Sequence, residues 1–217
     1  MTVYSIKSGL LGENTYLVLK EGKALVIDPG VSAEIILSEC RKLSVDPIAV
    51  LLTHGHVDHI FGAPGLQKAG IKVYAHSREI EVVQGRANLA LALGISLSPF
   101  TPDVAIEEGA LALSPFSVEV IFTPGHTQGG VCYLIDGALF SGDTLFAGSY
   151  GRTDFPTGDE QDLLCSIANE LFSLPLDTPV YAGHSAGEPT VFERAELAFP
   201  DTKVANEYST NPILNLL

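Results

Sequence analysis

Thr53-His54-Gly55-His56-Val57-Asp58-His59 gathers three of the chain's six histidines within six positions, directly after the apolar run Val50-Leu51-Leu52. In extended backbone, side chains two apart point the same way, so His54 and His56 can grip one cation, and the turn that follows redirects Asp58 and His59. Imidazole and carboxylate are the ligands of zinc and its neighbours. A merely solvated polar loop is the plain alternative, but the apolar run places this one at the end of a buried strand.

The same construction recurs three times downstream. Val120-Ile-Phe-Thr-Pro-Gly ends at His126, Ala138-Leu-Phe-Ser-Gly at Asp143, and Val180-Tyr-Ala-Gly at His184. Taken singly, Asp143 reads as a turn or capping aspartate and His126 or His184 as a surface histidine. Four matched strand ends outweigh those separate readings. Five histidines and two aspartates exceed what one four-coordinate ion needs and suit two ions sharing a bridging carboxylate and a water. His76, in Val73-Tyr-Ala-His-Ser, lacks such company and reads as a structural or helix-start histidine.

Around these ligand loops the spacing predicts strands over 15–19 and 24–27 joined at Glu21-Gly22, a helix from the Ser32 cap to 42, and a strand over 48–52. A short helix over 62–69, a strand over 73–75 and a helix over 77–92 follow, and Pro99, Pro102 and Gly109 mark a long loop that could act as a lid. Strands over 118–122, 131–135 and 138–140, a helix over 159–172, a strand over 180–182 and a helix from Thr190 complete an α/β pattern. No repeat, low-complexity tract or linker interrupts it, so residues 1–217 are read as a single domain.

The chain has 12 Lys and Arg against 26 Asp and Glu, a formal charge of −14 that repels phosphate backbones and anionic lipid. Most of that charge lies between 87 and 193, where fourteen acids face one cation, Arg152. Nucleic acid and membrane are therefore not expected as partners. Cys40, Cys132 and Cys165 form no CxxC pair, and the N-terminus lacks the basic and apolar regions of a signal peptide, which together suggest a reducing cytoplasm. No GxSxG is present, and Cys132 falls inside an expected strand, so covalent serine or cysteine catalysis has little support.

The sequence resembles the metallo-β-lactamase superfamily, whose HxHxDH motif is matched by His54, His56, Asp58 and His59 and whose later ligands are matched by His126, Asp143 and His184. Asn14-Thr-Tyr-Leu-Val, Ile27-Asp-Pro-Gly, Thr123-Pro-Gly-His-Thr and Ser141-Gly-Asp-Thr-Leu-Phe look like further blocks of that family. The resemblance implies an αββα sandwich, two mixed sheets flanked by helices. It also implies that His54, His56 and His126 hold a first metal and Asp58, His59 and His184 a second, with Asp143 bridging. Phe61 and Ser185 stand where the family often has glycine, and neither removes a ligand.

Within the family, Gly151-Arg-Thr-Asp154-Phe-Pro and Asn211-Pro-Ile-Leu look like the short bacterial glyoxalase II-like hydrolases, and GRTDF also resembles persulfide dioxygenases. The leading expectation is a dinuclear zinc thioester hydrolase using a metal-bound hydroxide, with Asp58 orienting the water and transferring a proton besides acting as a ligand. A mononuclear iron persulfide dioxygenase is the alternative, since two of the histidines with Asp143 make a two-histidine, one-carboxylate iron site. A lactonase, a β-lactamase and a non-catalytic metal-binding module rank behind. Arg152 is expected to pair with Asp154 or to anchor a substrate anion, and Asp28 to support the ligand loop. Only Arg194 and Lys203 are cationic after His184, against the basic glutathione-binding region of longer glyoxalase II enzymes that this chain otherwise resembles.

Overall fold

The computed structural model describes residues 1–7, 11–185 and 192–216, with backbone alone at 192–194. From the N-terminus, Thr2–Lys7 (β1), Asn14–Lys20 (β2), Lys23–Ile27 (β3), Asp46–Leu51 (β4), Val73–His76 (β5) and Val104–Ile106 (β6) pair in sequence order. The first three run antiparallel and the rest parallel, so the crossovers after β3 and β4 must carry helices. Ala33–Lys42 (α1) fills one crossover, and Val57–Ile60 (α2) with Ala63–Lys68 (α3) fills the next.

A second sheet follows from Gly109–Leu113 (β7), Phe116–Phe122 (β8), Val131–Ile135 (β9) and Ala138–Gly142 (β10). The chain passes through a small hairpin, Leu145–Phe146 (β11) with Ser149–Tyr150 (β12), and returns as Pro179–Ala182 (β13) parallel to β10. Phe192–Leu197 (β14) then crosses back to pair antiparallel with β1, and Thr202–Lys203 (β15) closes the second sheet.

Period-two alternation builds the layers. Tyr16, Val18, Leu25, Ile27 and Leu51 meet Val118, Val120, Tyr133 and Phe140 of the second sheet in one buried cluster. Leu17, Val26 and Val50, on the opposite pleat, pack against Ile36 and Leu66 of α1 and α3. Cys132 and Leu139 pack outward against Leu163 and Ile167, which lie on the helical stretch beginning at Glu160–Cys165. Helix, sheet, sheet and helix therefore stack as the αββα sandwich with two mixed sheets.

Two expected helices differ. The one over 77–92 is confined to short turns with Ile80–Gln84 (α3's successor, α4) between them, and it ends where Leu89 takes a φ of +65°. The helix from Thr190 begins outside the described residues, and Phe192–Leu197 is a strand. The outer edge of β1 would otherwise present a row of unpaired backbone groups, and pairing Tyr4 with Leu197 satisfies them.

Candidate metal centre

Four strands deliver the candidate groups to one end of the sandwich. β4 runs out at Leu51 into Thr53, His54 and His56, and the single turn of α2 carries Asp58 and His59. The loop after β8 carries His126, the turn after β10 carries Asp143, and the turn after β13 carries His184. Two of these loops are anchored from the opposite sheet. Tyr133 Oη donates to Leu52 O at 2.8 Å, just before the histidine run. Asn14 Nδ2 donates to Ala182 O at 3.0 Å and to Ser185 Oγ at 2.9 Å, and Tyr16 Oη donates to Ala182 O, so the Asn14-Thr-Tyr block clamps the His184 turn. Gly183 has no room for a side chain there, since a Cβ would land on Asp143 Oδ1 and the His59 ring.

All seven groups meet. One triad joins His54, His56 and His126, and another joins Asp58, His59 and His184. Asp143 lies between them, with Oδ2 3.6 Å from His126 Nε2 and 3.5 Å from His184 Nε2, and Oδ1 3.4 Å from His59 Nε2. His54, His56, Asp58, His59 and His126 are buried.

Hydrogen bonding fixes which ring nitrogens face inward. Thr53 Oγ1 donates to Asp28 Oδ2 at 2.6 Å and so accepts from His54 Nδ1 at 3.0 Å, leaving His54 Nε2 with its lone pair. His126 Nδ1 donates to Arg152 O at 2.7 Å, which turns His126 Nε2 toward His56 Nδ1 at 2.9 Å. His59 Nδ1 donates to Asp28 Oδ2 at 2.9 Å, which turns His59 Nε2 toward Asp143, Asp58 and His184. Among the described residues, His54 Nε2, His56 Nε2 and Asp143 Oδ1 are the buried side-chain atoms left without a hydrogen-bond partner. Orphaned acceptors in a buried cluster of this composition fit divalent cations.

The electrostatics agree with that fit. Burial, reinforced by neighbouring histidines, holds His54 well below its usual pKa and takes His56 down to about 3, and burial also lowers His126. These rings are neutral, the form that ligates. Burial pushes His59 down as well, but Asp143, Asp58 and Asp28 outweigh it and hold the ring protonated, a charge that a cation would replace. Burial pushes Asp58 up, and His59 with His184 overcomes it and keeps the carboxylate ionised.

Asp28 also lies within ligand distance of His54 and His59, but its oxygens are taken: Oδ1 accepts from Thr53 N, and Oδ2 from Thr53 Oγ1 and His59 Nδ1. It orients the candidate ligand His59 directly and His54 through Thr53, with its own backbone at a φ of +46°. Arg152 and Asp154 form a bidentate pair on the surface, Nε to Oδ1 at 2.8 Å and Nη2 to Oδ2 at 2.7 Å. His76 stays apart from the cluster, stacked on Phe122 with its Nδ1 accepting from Arg78 N.

Sequence reasoning missed Glu79. This buried carboxylate accepts from Gly55 N, Thr127 Oγ1 and Gly129 N, stapling the His54–His56 loop to the His126 loop. Nothing local marks it, because its partners lie 24, 48 and 50 positions away. The Asn211 motif also gains a cause. Asn211 Nδ2 donates to Ser149 O and Glu207 Oε2, tying Val204–Thr210 (α6, after α5 at Glu160–Cys165) to the hairpin that precedes Arg152.

The family model described as metallo-beta-lactamase superfamily matches residues 8–184. Among curated relatives, the chain is 34% identical to the probable metallo-hydrolase YqgX of Bacillus subtilis (strain 168), over 95% of this chain and 94% of that one. It is 33% identical to the hydroxyacylglutathione hydrolase GloC of Haemophilus influenzae, over 90% and 89%. Among solved structures it superposes on the BLEG-1 B3 metallo-beta-lactamase with a TM-score of 0.86 at 32% identity, covering 98% of this chain and 99% of that one. A di-iron-bound form of TTHA1623 gives 0.80 at 34%, covering 96% and 98%. ETHE1 from Myxococcus xanthus gives 0.75 at 26%, covering 98% and 84%.

Proposed function

The chain belongs to the metallo-beta-lactamase superfamily and is a metal-dependent hydrolase of that family, and from that premise we propose that it hydrolyses a thioester at a dinuclear centre. The observation that carries this reading is the pair of triads facing each other across Asp143, with His54 Nε2, His56 Nε2 and Asp143 Oδ1 buried and without hydrogen-bond partners. Likeness to a hydroxyacylglutathione hydrolase supports the thioester.

In this reading His54, His56 and His126 hold one ion, Asp58, His59 and His184 hold the other, and Asp143 lies between. Two divalent ions, zinc as the first expectation, would supply a water of lowered pKa and polarise the acyl carbonyl. The chain's own residues prepare that chemistry. Asp28 and the Arg152 carbonyl hold Nδ1 of His59 and His126, which leaves each Nε2 facing the centre. Asp58, ionised and 3.5 Å from His184 Nε2, is placed to orient water and take its proton at Oδ2. The leaving thiolate needs no proton to depart.

The partner is a small molecule: a charge of −14 repels nucleic acid and anionic membrane, and no helix among the described residues is long and apolar enough to cross a bilayer. The cysteines suit a reducing cytoplasm. Protein purified without chelator is expected to carry two metal equivalents by elemental analysis and to turn over S-D-lactoylglutathione or another thioester. Metal-loaded protein inert toward every thioester refutes the reading.

A second reading, a mononuclear iron persulfide dioxygenase, is supported by the Gly151-Arg-Thr-Asp-Phe stretch and by the likeness to ETHE1. One tightly held iron with oxygen consumption on glutathione persulfide would select it.

A further inference from the structure

We propose that this site is built for an apolar acyl group on an uncharged thiol, and that the charged ends of glutathione are not what it recognises. This rests on the thioesterase reading and names its substrate class. The cleft above the two triads has a volume of about 480 Å³. Besides the metal-facing groups, it is lined by Leu11, Leu89, Ala92, Leu93, Phe146 and Phe155, with Arg152 as its only cation among the described residues.

The two phenylalanines flank the centre. Phe155 lies edge-on to His56 at 5.5 Å and to His126 at 6.4 Å, and Phe146 edge-on to His184 at 6.2 Å. In the same lining, Leu89 and Leu11 hold φ of +65° and +60°, a left-handed backbone that leucine rarely adopts. Leu11 is 60% exposed and Leu93 47%, so neither serves the core. Strained and exposed leucines that converge on a reactive centre are placed to bury an apolar ligand.

Charge points the same way. Glutathione brings two carboxylates, and the one cation of the cleft is already engaged: Arg152 gives Nε and Nη2 to Asp154, and its guanidinium lies 4.3 Å from the Phe155 ring centroid. Arg86 lines a separate cleft. Segments 8–10 and 186–191 contain no lysine or arginine, and Arg194 is described by its backbone alone.

The test compares acetyl, butyryl and hexanoyl thioesters of N-acetylcysteamine with the same acyl groups on glutathione, alongside calorimetric binding of the non-hydrolysable hexyl thioethers of both thiols. On the neutral carrier, kcat/KM is expected to rise about fourfold per added methylene, and the neutral thioether to bind more tightly than the glutathione one. Leu93→Asp is expected to reduce the hexanoyl-to-acetyl ratio at least tenfold, and Arg152→Met to change both carriers' kcat/KM by the same factor. Preference for the glutathione series, no dependence on chain length, a selective loss on glutathione in Arg152→Met, or no binding of either thioether overturns the proposal. If no thioester is hydrolysed the thioesterase reading falls, and the thioether affinities still decide the ligand class.

Discussion

Glu79 offers the sharpest test of how the two ligand loops are held. Its Oε1 accepts from Gly55 N at 2.8 Å, and its Oε2 from Gly129 N at 2.9 Å and Thr127 Oγ1 at 3.0 Å. Burial pushes the carboxyl up to about 7 from an ordinary 4.5, against those three donors. A folded-state pKa above the unfolded one means that the native protein holds an extra proton between these values. The associated stability is therefore whole below pH 4.5 and is lost as pH rises through 7. Between pH 5 and 8 the loss is about 2.5 kcal/mol, at about 1.4 kcal/mol per unit. Glu79→Gln abolishes this titration at similar shape. With its amide oxygen at the Oε2 position, its NH2 group faces the Gly55 N–H, losing one buried hydrogen bond at about 1–3 kcal/mol. Urea unfolding of chelator-treated wild type and variant at pH 5, 6.5 and 8 checks this, because every other titrating group is common to both. Wild-type stability is expected to fall by about 2.5 kcal/mol more than the variant's across that range. A difference flat in pH, or one that grows in favour of wild type, would show that the three donors keep Glu79 ionised and that burial does not govern it.

Four further outcomes follow from the same geometry. Asp28→Asn leaves one oxygen for three donors and frees the His59 ring, and chelator competition is expected to show metal affinity reduced about 10- to 100-fold. Gly183→Ala drives a Cβ onto Asp143 and His59, so metal content by elemental analysis is expected to fall by at least half with the far-UV circular dichroism unchanged. Asn211→Ala removes bonds to Ser149 O, Glu207 Oε2 and Ile213 N, and chemical denaturation is expected to show a loss of about 2–4 kcal/mol. Stripping an ion present at 1,000 times its dissociation constant costs about 4 kcal/mol, so thermal melts with chelator are expected to shift down and to recover on adding metal.

That the candidate ligand groups converge was legible because each obeys a local rule, an apolar strand ending in a tight turn, and strands are what the chain's alternation encodes most strongly. β9 matches its expected limits at Val131–Ile135, and β8, β10 and β13 gain only one or two residues at their ends. Asp28 could be picked out as a support because it too ends a strand, before Pro29-Gly30, whereas Glu79 could not, since its partners lie far along the chain and no spacing announces a carboxylate that accepts three donors. The segment over 77–92 shows why the remainder escaped. Ala90-Leu-Ala-Leu has the composition of a helix, yet the turn breaks at Gly85, and Leu89 takes a left-handed backbone. A helix there would have laid its leucines on the sheet and closed them into the core. Released from it, Leu89 and Leu93 stand over the metal-facing groups, while Leu91 is 72% exposed. The residues proposed to choose the substrate thus come from the place where local propensity loses to tertiary context, which is why a metal-dependent hydrolase family could be read from the chain and an acyl group could not.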